Sequence, residues 1–281
     1  LVETFKSLKK LTEQAILTQK NGLFFLSFSV LPEKIKSSVL WQKRILRQKI
    51  SIKKWKKLKK IISWLKIVPF IKGIMASGSL CFDNAKNESD LDLLVISKKG
   101  RIWTCRMLLS FFLELLGQRR SGKSIKDKVC LNHYLAVPWF EIKTKNPLTA
   151  QFYAHLVPLI NYQVYQSFHH KNQWIKEFLY YPAFERYFHQ KRINEKKVLF
   201  RFCSFLGKIF ELPLKGQLGN WLERKTCAWQ IKRIKGKTAA KDLNSERIYF
   251  SDKALLFHNP VCRYAQVKKT FSEKIKNLNL G

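Results

Sequence analysis

Residues 91–97, Leu-Asp-Leu-Leu-Val-Ile-Ser, constrain this chain more than any other stretch. The run is apolar, rich in strand formers and closed by the turn residues Lys98, Lys99 and Gly100, which predicts a buried strand. A strand needs neighbours to take up its backbone hydrogen bonds, and two other runs can serve. Residues 70–77, Phe-Ile-Lys-Gly-Ile-Met-Ala-Ser, end at Gly78-Ser79 and read as an earlier strand. Residues 128–136, Lys-Val-Cys-Leu-Asn-His-Tyr-Leu-Ala, alternate and read as a later one. Between the last two, residues 101–116 place apolar side chains at helical spacing around Arg106 and Glu114. Residues 80–87 are helix-compatible, with Ser79 as their N-cap. This order describes a small mixed sheet with flanking helices, an α+β fold.

The two flanks read as helical. From Gln42 to Leu65, Ile45, Ile52, Trp55, Leu58, Ile62 and Leu65 return at spacings of mostly three and four, so a helix with one apolar stripe and a lysine-clad back is expected. That back is either a solvated face or a surface for phosphate backbones or lipid headgroups. Beyond Pro138 to Pro147 the composition turns aromatic. Residues 148–179, 198–210 and 221–235 read as amphipathic helices, which predicts an all-helical C-terminal half with its aromatic residues packed as core. Three regions follow: a basic helical region at 1–65, the sheet-bearing region at 66–145, and a helical region at 146–281.

A formal charge of +35 exceeds what solubility requires, and such a field attracts RNA or another polyanion, although a general lysine bias accounts for it as well. The six cysteines, Cys81, Cys105, Cys130, Cys203, Cys227 and Cys262, include no Cys-x-x-Cys pair and suit buried thiols in a reducing cytoplasm. The histidines show no metal-ligand spacing, His169-His170 being adjacent and divergent. No run of about 18 apolar residues is free of charge, so no transmembrane segment is expected. The first ten residues lack the basic-then-apolar order of a signal peptide, and a cytoplasmic location is expected.

The chemistry gathers at Asp90 and Asp92. On a strand, residues i and i+2 project from one face, so two carboxylates stand side by side while Leu91 and Leu93 turn the other way. Like charges that close need a cation, and an oxygen donor set favours Mg²⁺ or Mn²⁺, which accept phosphate oxygens as further ligands. Gly78-Ser79 supplies the complement. A glycine lets a ligand approach the backbone, and a helix N-terminus after it offers free N–H groups to phosphate. Metal and phosphate cradle on consecutive elements would hold a nucleoside triphosphate for attack at its α-phosphorus.

Gly78-Ser79, ten residues, then Asp90-x-Asp92 followed by apolar residues resembles the signature of the DNA polymerase β-type nucleotidyltransferase superfamily. The resemblance spans roughly residues 66–140. It implies that Gly78 and Ser79 bind the incoming triphosphate, that Asp90 and Asp92 are the catalytic metal ligands, and that a third acid stands on a later strand. The matching strand offers Asn132 there, an amide that can ligate through oxygen but cannot take a proton. Glu141 or Asp127 would substitute in a different strand register. The resemblance thus implies nucleotidyl transfer to an RNA, a protein or a small molecule. The alternative is a catalytically silent fold of this kind that binds nucleic acid or regulates.

Residues 117–124, Gly-Gln-Arg-Arg-Ser-Gly-Lys-Ser, match the phosphate loop of many ATPases, but they follow a helix and precede a strand, the reverse of what that loop requires. Arg119, Arg120, Lys123, Lys126 and Lys128 form a basic connection that either contacts the triphosphate or a nucleic-acid backbone, Lys123 foremost, or is solvated. Near the end, Ser251 reads as a helix N-cap, and His258 as a packing or capping residue.

Overall fold

In the computed structural model, residues 2–14, 17–20, 23–26, 37–122, 124–179, 198–237 and 248–257 are described. Helix α1 (Val2–Glu13) and a hairpin of β1 (Leu17–Lys20) and β2 (Leu23–Leu26) precede the long helix α2 (Ser37–Leu65). Strand β3 (Ile71–Ala76), a short 3₁₀ turn (Gly78–Phe82), β4 (Leu91–Ser97), α3 (Ile102–Leu115) and β5 (Val129–Ala136) follow. Then come α4 (Pro147–Ala154), β6 (Val157–Ile160), α5 (Tyr162–Lys171), α6 (Ile175–Phe178), α7 (Val198–Glu211), α8 (Gln217–Lys237), β7 (Tyr249–Phe250) and β8 (Ala254–Leu256). The class is mixed α+β, as expected.

A six-stranded sheet in the order β6-β3-β4-β5-β8-β7 organises the molecule. Strands β4 and β5 are parallel, joined by a crossover through α3, and the other pairings are antiparallel. Strand β4 is central: Leu91, Leu93, Leu94, Val95 and Ile96 are all fully buried, which explains why its sequence runs nearly unbroken in apolar residues instead of alternating. Helix α3 packs on β5 and α8, α5 packs on β3, and α2 packs on the 3₁₀ turn and α7. Among the described residues, no helix is long and apolar enough to cross a membrane.

The expectation of an all-helical C-terminal half is corrected by the sheet itself. Residues 157–160 leave the helical run and pair with β3, and all four are buried. The run between α4 and α5 is too short to display a period, and Pro158, which removes a backbone donor, is tolerated because β6 is an edge strand. Strands β7 and β8 extend the other edge. Ser251 belongs to their turn and caps no helix: its Oγ accepts hydrogen bonds from the N–H groups of Lys253 (3.2 Å) and Ala254 (3.1 Å). The N-terminal region likewise contains the β1–β2 hairpin in addition to helices.

Helix α2 uses its length in two ways. Its second half seats Trp55, Leu58, Ile62 and Leu65 in the core, as the spacing predicts. In the first half the expected stripe is corrected, because Ile52 is 50% exposed while Ser51 and Lys54 are buried. The physical reason is the partner. This half packs on the loop at residues 82–89, whose backbone carbonyls want donors where the sheet would want methyl groups.

Candidate functional site

The loop between the 3₁₀ turn and β4 is held by α2 along its length. Arg44 donates to the carbonyls of Phe82 (3.2 Å) and Asp83 (2.7 Å), and Arg47 to Oδ1 of Asn84 (3.0 Å). Ser51 Oγ accepts from the N–H of Ala85 at 3.1 Å. Trp55 Nε1 donates to Asp83 Oδ1 at 3.1 Å. The buried Lys54 ammonium donates to the carbonyls of Asn87 (3.0 Å) and Ser89 (2.7 Å) and ion-pairs with Asp127. Residues 44, 47, 51 and 54 recur at helical spacing, so one polar stripe of α2 fixes the peptide that carries Gly78-Ser79 to Asp90. Lys49, Lys53, Lys56 and Lys60 remain exposed on the same helix.

Gly78 stands against Asp92. Its φ of +70° lies in the left-handed region, and a Cβ built there would collide with the Asp92 carboxylate. The backbone of β4 fixes the pair further, the N–H of Ser77 donating to the Asp92 carbonyl at 3.0 Å. The expected helix after Gly78 is corrected: it is a five-residue 3₁₀ turn whose N-cap is Ser77, with Ser79 exposed inside the turn. Asp83 in the left-handed conformation ends it at once. Any phosphate cradle therefore rests on close backbone approach at Gly78 and owes little to a helix dipole.

Asp90 and Asp92 lie together, and Cys130 joins them. One ligand atom from each falls within 4.8 Å of the others, in the single group of this kind found among the described residues. Strand register explains the trio, since Asp92 pairs with Cys130 across the parallel β4–β5 ladder. The register then shifts before Leu94 and His133, and at that irregularity Asn132 Nδ2 donates to Asp92 Oδ1 at 3.2 Å. Arg120, from the connection after α3, reaches Asp90 Oδ2 at 2.5 Å and Cys130 Sγ at 3.4 Å. Asn132 is therefore next to the acids, as the strand reading expects, and Arg120 of the basic connection reaches them through Asp90, whereas Cys130 is an addition that the sequence reading does not make. Cys130 was legible two residues before Asn132 on one strand face; Arg120 lay in a loop that offers no periodic signal.

Electrostatics separates the two acids. Burial pushes the Asp92 carboxyl up to about 6, with Asp90 adding to the rise and Cys130, Arg120 and Asn132 opposing it. Asp90 has its own cation in Arg120. Burial, reinforced by Asp92 and Asp90, pushes the Cys130 thiol up to about 12. With no cation bound the thiol is therefore protonated, and the hard donors of the group are its carboxylates. What remains for a cation is two carboxylates, a hard oxygen pair short of positive charge on the Asp92 side. That chemistry fits a divalent ion such as Mg²⁺ or Mn²⁺.

The other candidates go elsewhere. Asp127 is engaged by Lys54 two residues before β5 begins, and Glu141 is exposed beyond the far end of that strand, so neither joins the acids. The stretch matching a phosphate loop leaves helix α3 and leads into strand β5, with Ser121 bridged to Ser124, which is not the strand-to-helix passage of a phosphate loop. Lys128 donates to the Gly117 carbonyl and Arg119 pairs with Glu114 at 3.2 Å. Lys123 and His258 lie outside the described residues. Comparison with known protein families, with curated proteins and with solved structures returned no match.

Proposed function

We propose that this protein is a nucleotidyltransferase, transferring a nucleoside monophosphate from a triphosphate to an acceptor hydroxyl. The observation that carries this reading is the contact between Gly78 and Asp92: a glycine bend at positive φ, where the Asp92 carboxylate takes the space of a Cβ, pressed against the second acid of an i, i+2 pair. A bend used only to turn the chain would have no need to touch a carboxylate. In the reaction, the acceptor oxygen forms a bond to the α-phosphorus, the bond from that phosphorus to the bridging oxygen breaks, and pyrophosphate leaves. A divalent cation held by Asp90 and Asp92 would neutralise charge on the triphosphate and the departing pyrophosphate. The backbone at Gly78 offers close approach to the phosphates, and the α2 stripe keeps that bend in register with Asp90. Asn132 orients Asp92 and takes no proton, so no carboxylate on β5 receives the proton of the acceptor, and turnover is expected to be slow. The exposed lysines of α2 suit RNA or another polyanion as acceptor or partner.

Binding of each labelled nucleoside triphosphate, with Mg²⁺ or Mn²⁺ and with EDTA, tests this reading alongside incorporation into RNA or protein. Metal-responsive triphosphate binding that survives Asp90→Asn with Asp92→Asn rejects it. The Arg120 to Asp90 ion pair and the amide at Asn132 favour a second reading, a catalytically silent domain of the same kind that binds nucleic acid. Steeply salt-dependent RNA binding with no incorporation, unchanged in the double variant, establishes that alternative.

A further inference from the structure

The outer edge of β5 is incompletely covered. Residues 118–120 run beside its start, Arg119 bridging Val129, and β8 pairs only with His133 to Leu135. In the gap between them lies a cavity of about 320 Å³ that reaches Arg120, Cys130 and Asn132. It shares Arg106, Ser110, Arg119 and Phe257 with a second cavity of about 480 Å³ between α3 and α8. Trp229 and Arg233 line that larger part.

The charge of this cleft is unbalanced. Arg106 sits at the junction of the two cavities, and its recorded partners are neutral: Oε1 of Gln230 and the ring of Phe257, with the guanidinium carbon 4.5 Å from the ring centroid. Its Nε is buried with no hydrogen-bond partner. Arg233 lies over Trp229 at 5.4 Å, and the single carboxylate among the lining residues, Glu114, is already taken by Arg119. Burial lowers the pKa of Arg106, and Arg119 and Arg233 push it the same way. Three arginines line this half-buried cleft with one carboxylate among them, a deficit that an anion would offset.

We infer that this cleft binds a phosphorylated aromatic small molecule of the mononucleotide class. Arg106, Arg119 and Arg233 all line the cleft, where a phosphate would accept their donors, and Trp229 and Phe257 line it as well, adding aromatic surface for a base. The combined space suits a ligand of that size. The cleft adjoins the Asp90-Asp92 group through Arg120, Cys130 and Asn132, but its arginines and aromatic rings lie on the outer side of β5 and require no metal, so the inference does not rest on the transferase reading.

Equilibrium dialysis of the full chain in EDTA against AMP, adenosine, ribose 5-phosphate and a short oligonucleotide tests it. AMP is expected to bind, with adenosine and ribose 5-phosphate each at least tenfold weaker. Arg106→Met and the exposed Arg233→Gln should each weaken AMP at least tenfold, while Asp90→Asn with Asp92→Asn, which releases Arg120 toward the cleft, should not weaken it. A thermal melt verifies that each variant is folded, and Arg233→Gln, a surface change, keeps the test valid if Arg106→Met is not. Absence of AMP binding in EDTA overturns the inference. So does AMP affinity that ignores the arginine variants, or that vanishes with the two aspartates. Binding of the oligonucleotide alone overturns it in favour of an extended nucleic-acid surface.

Discussion

The two flanks of β5 make opposite electrostatic demands. On the flank shared with β4, Asp90 and Asp92 stand together and Asp92 is short of positive charge. On the outer flank, the half-buried Arg106 has no ion pair among the described residues and neighbours Arg119 and Arg233. Arg120 spans the two, lining the outer cleft while its guanidinium reaches Asp90. Elsewhere several of the scarce acids are engaged by the fold. Glu223 accepts the N–H groups of Trp103 (2.9 Å) and Thr104 (2.8 Å) at the start of α3, Asp252 accepts from Trp103 Nε1 at 2.8 Å, and Asp127 holds Lys54. Folding stability is served when charges find partners, so charges of opposite sign left short on either side of one strand are the grounds on which two ligands are proposed.

The comparison can be broken at several points. The largest effect is expected from Asp90→Asn with Asp92→Asn, which should reduce metal-dependent triphosphate affinity at least about 100-fold, roughly 2.7 kcal/mol, read by titration calorimetry. An unchanged affinity would dissolve the acidic flank as a site. Gly78→Ala should cost about 2–3 kcal/mol of stability in denaturant unfolding, because the methyl meets Asp92 and φ is positive. A loss below about 0.5 kcal/mol would show that the bend and the acid are not in contact.

Asp92→Asn alone should stabilise the metal-free protein by about 1–2 kcal/mol at pH 7. The sign follows from the raised carboxyl: its folded value of about 6 exceeds the reference 3.8, so the charged form is a burden to the native state above pH 6. The gain should fade as pH falls from 6 and be gone below 3.8, where both states are protonated. Thermal melts across that range decide it, and a gain that grows with acidity contradicts the assignment. Arg120→Gln should tighten Mg²⁺ or Mn²⁺ binding about fivefold by removing a competing cation from Asp90. Weaker metal binding would mean that Arg120 organises the acids instead of competing for them. The smallest effect, about 0.5–1 kcal/mol, is expected for Arg47→Ala, which frees one side chain of the loop at residues 82–89. Its expected signature is a rise in the KM for triphosphate greater than the fall in kcat.

Much of the sheet was legible because its signals are local. The runs at 70–77, 91–97 and 128–136 became β3, β4 and β5 within a residue at each end, and 101–116 became α3. What failed was short or depended on a partner. Strand β6 offers four residues, fewer than a period needs, and declares itself only by pairing with β3. Ile52 follows the apolar spacing of α2, yet lies outside because the surface facing that part of the helix is a polar loop. Ser79 looked like a cap because it precedes a helix-compatible stretch, but Asp83 stops that stretch after one turn.

The order of residues alone determined that Asp90 and Asp92 share a face and that a glycine precedes them at the end of a strand. These facts follow from the two-residue repeat of extended backbone and from the freedom of a residue without a Cβ, which no distant contact can alter. Only the tertiary structure decided that Gly78 touches Asp92, that Cys130 faces the acids, and that Arg120 enters from a loop to pair with Asp90. Those neighbours come from strand register and from the packing of α2 and α3. Register and packing are set by summing burial and hydrogen bonding over the whole sheet, a quantity no single window of sequence contains.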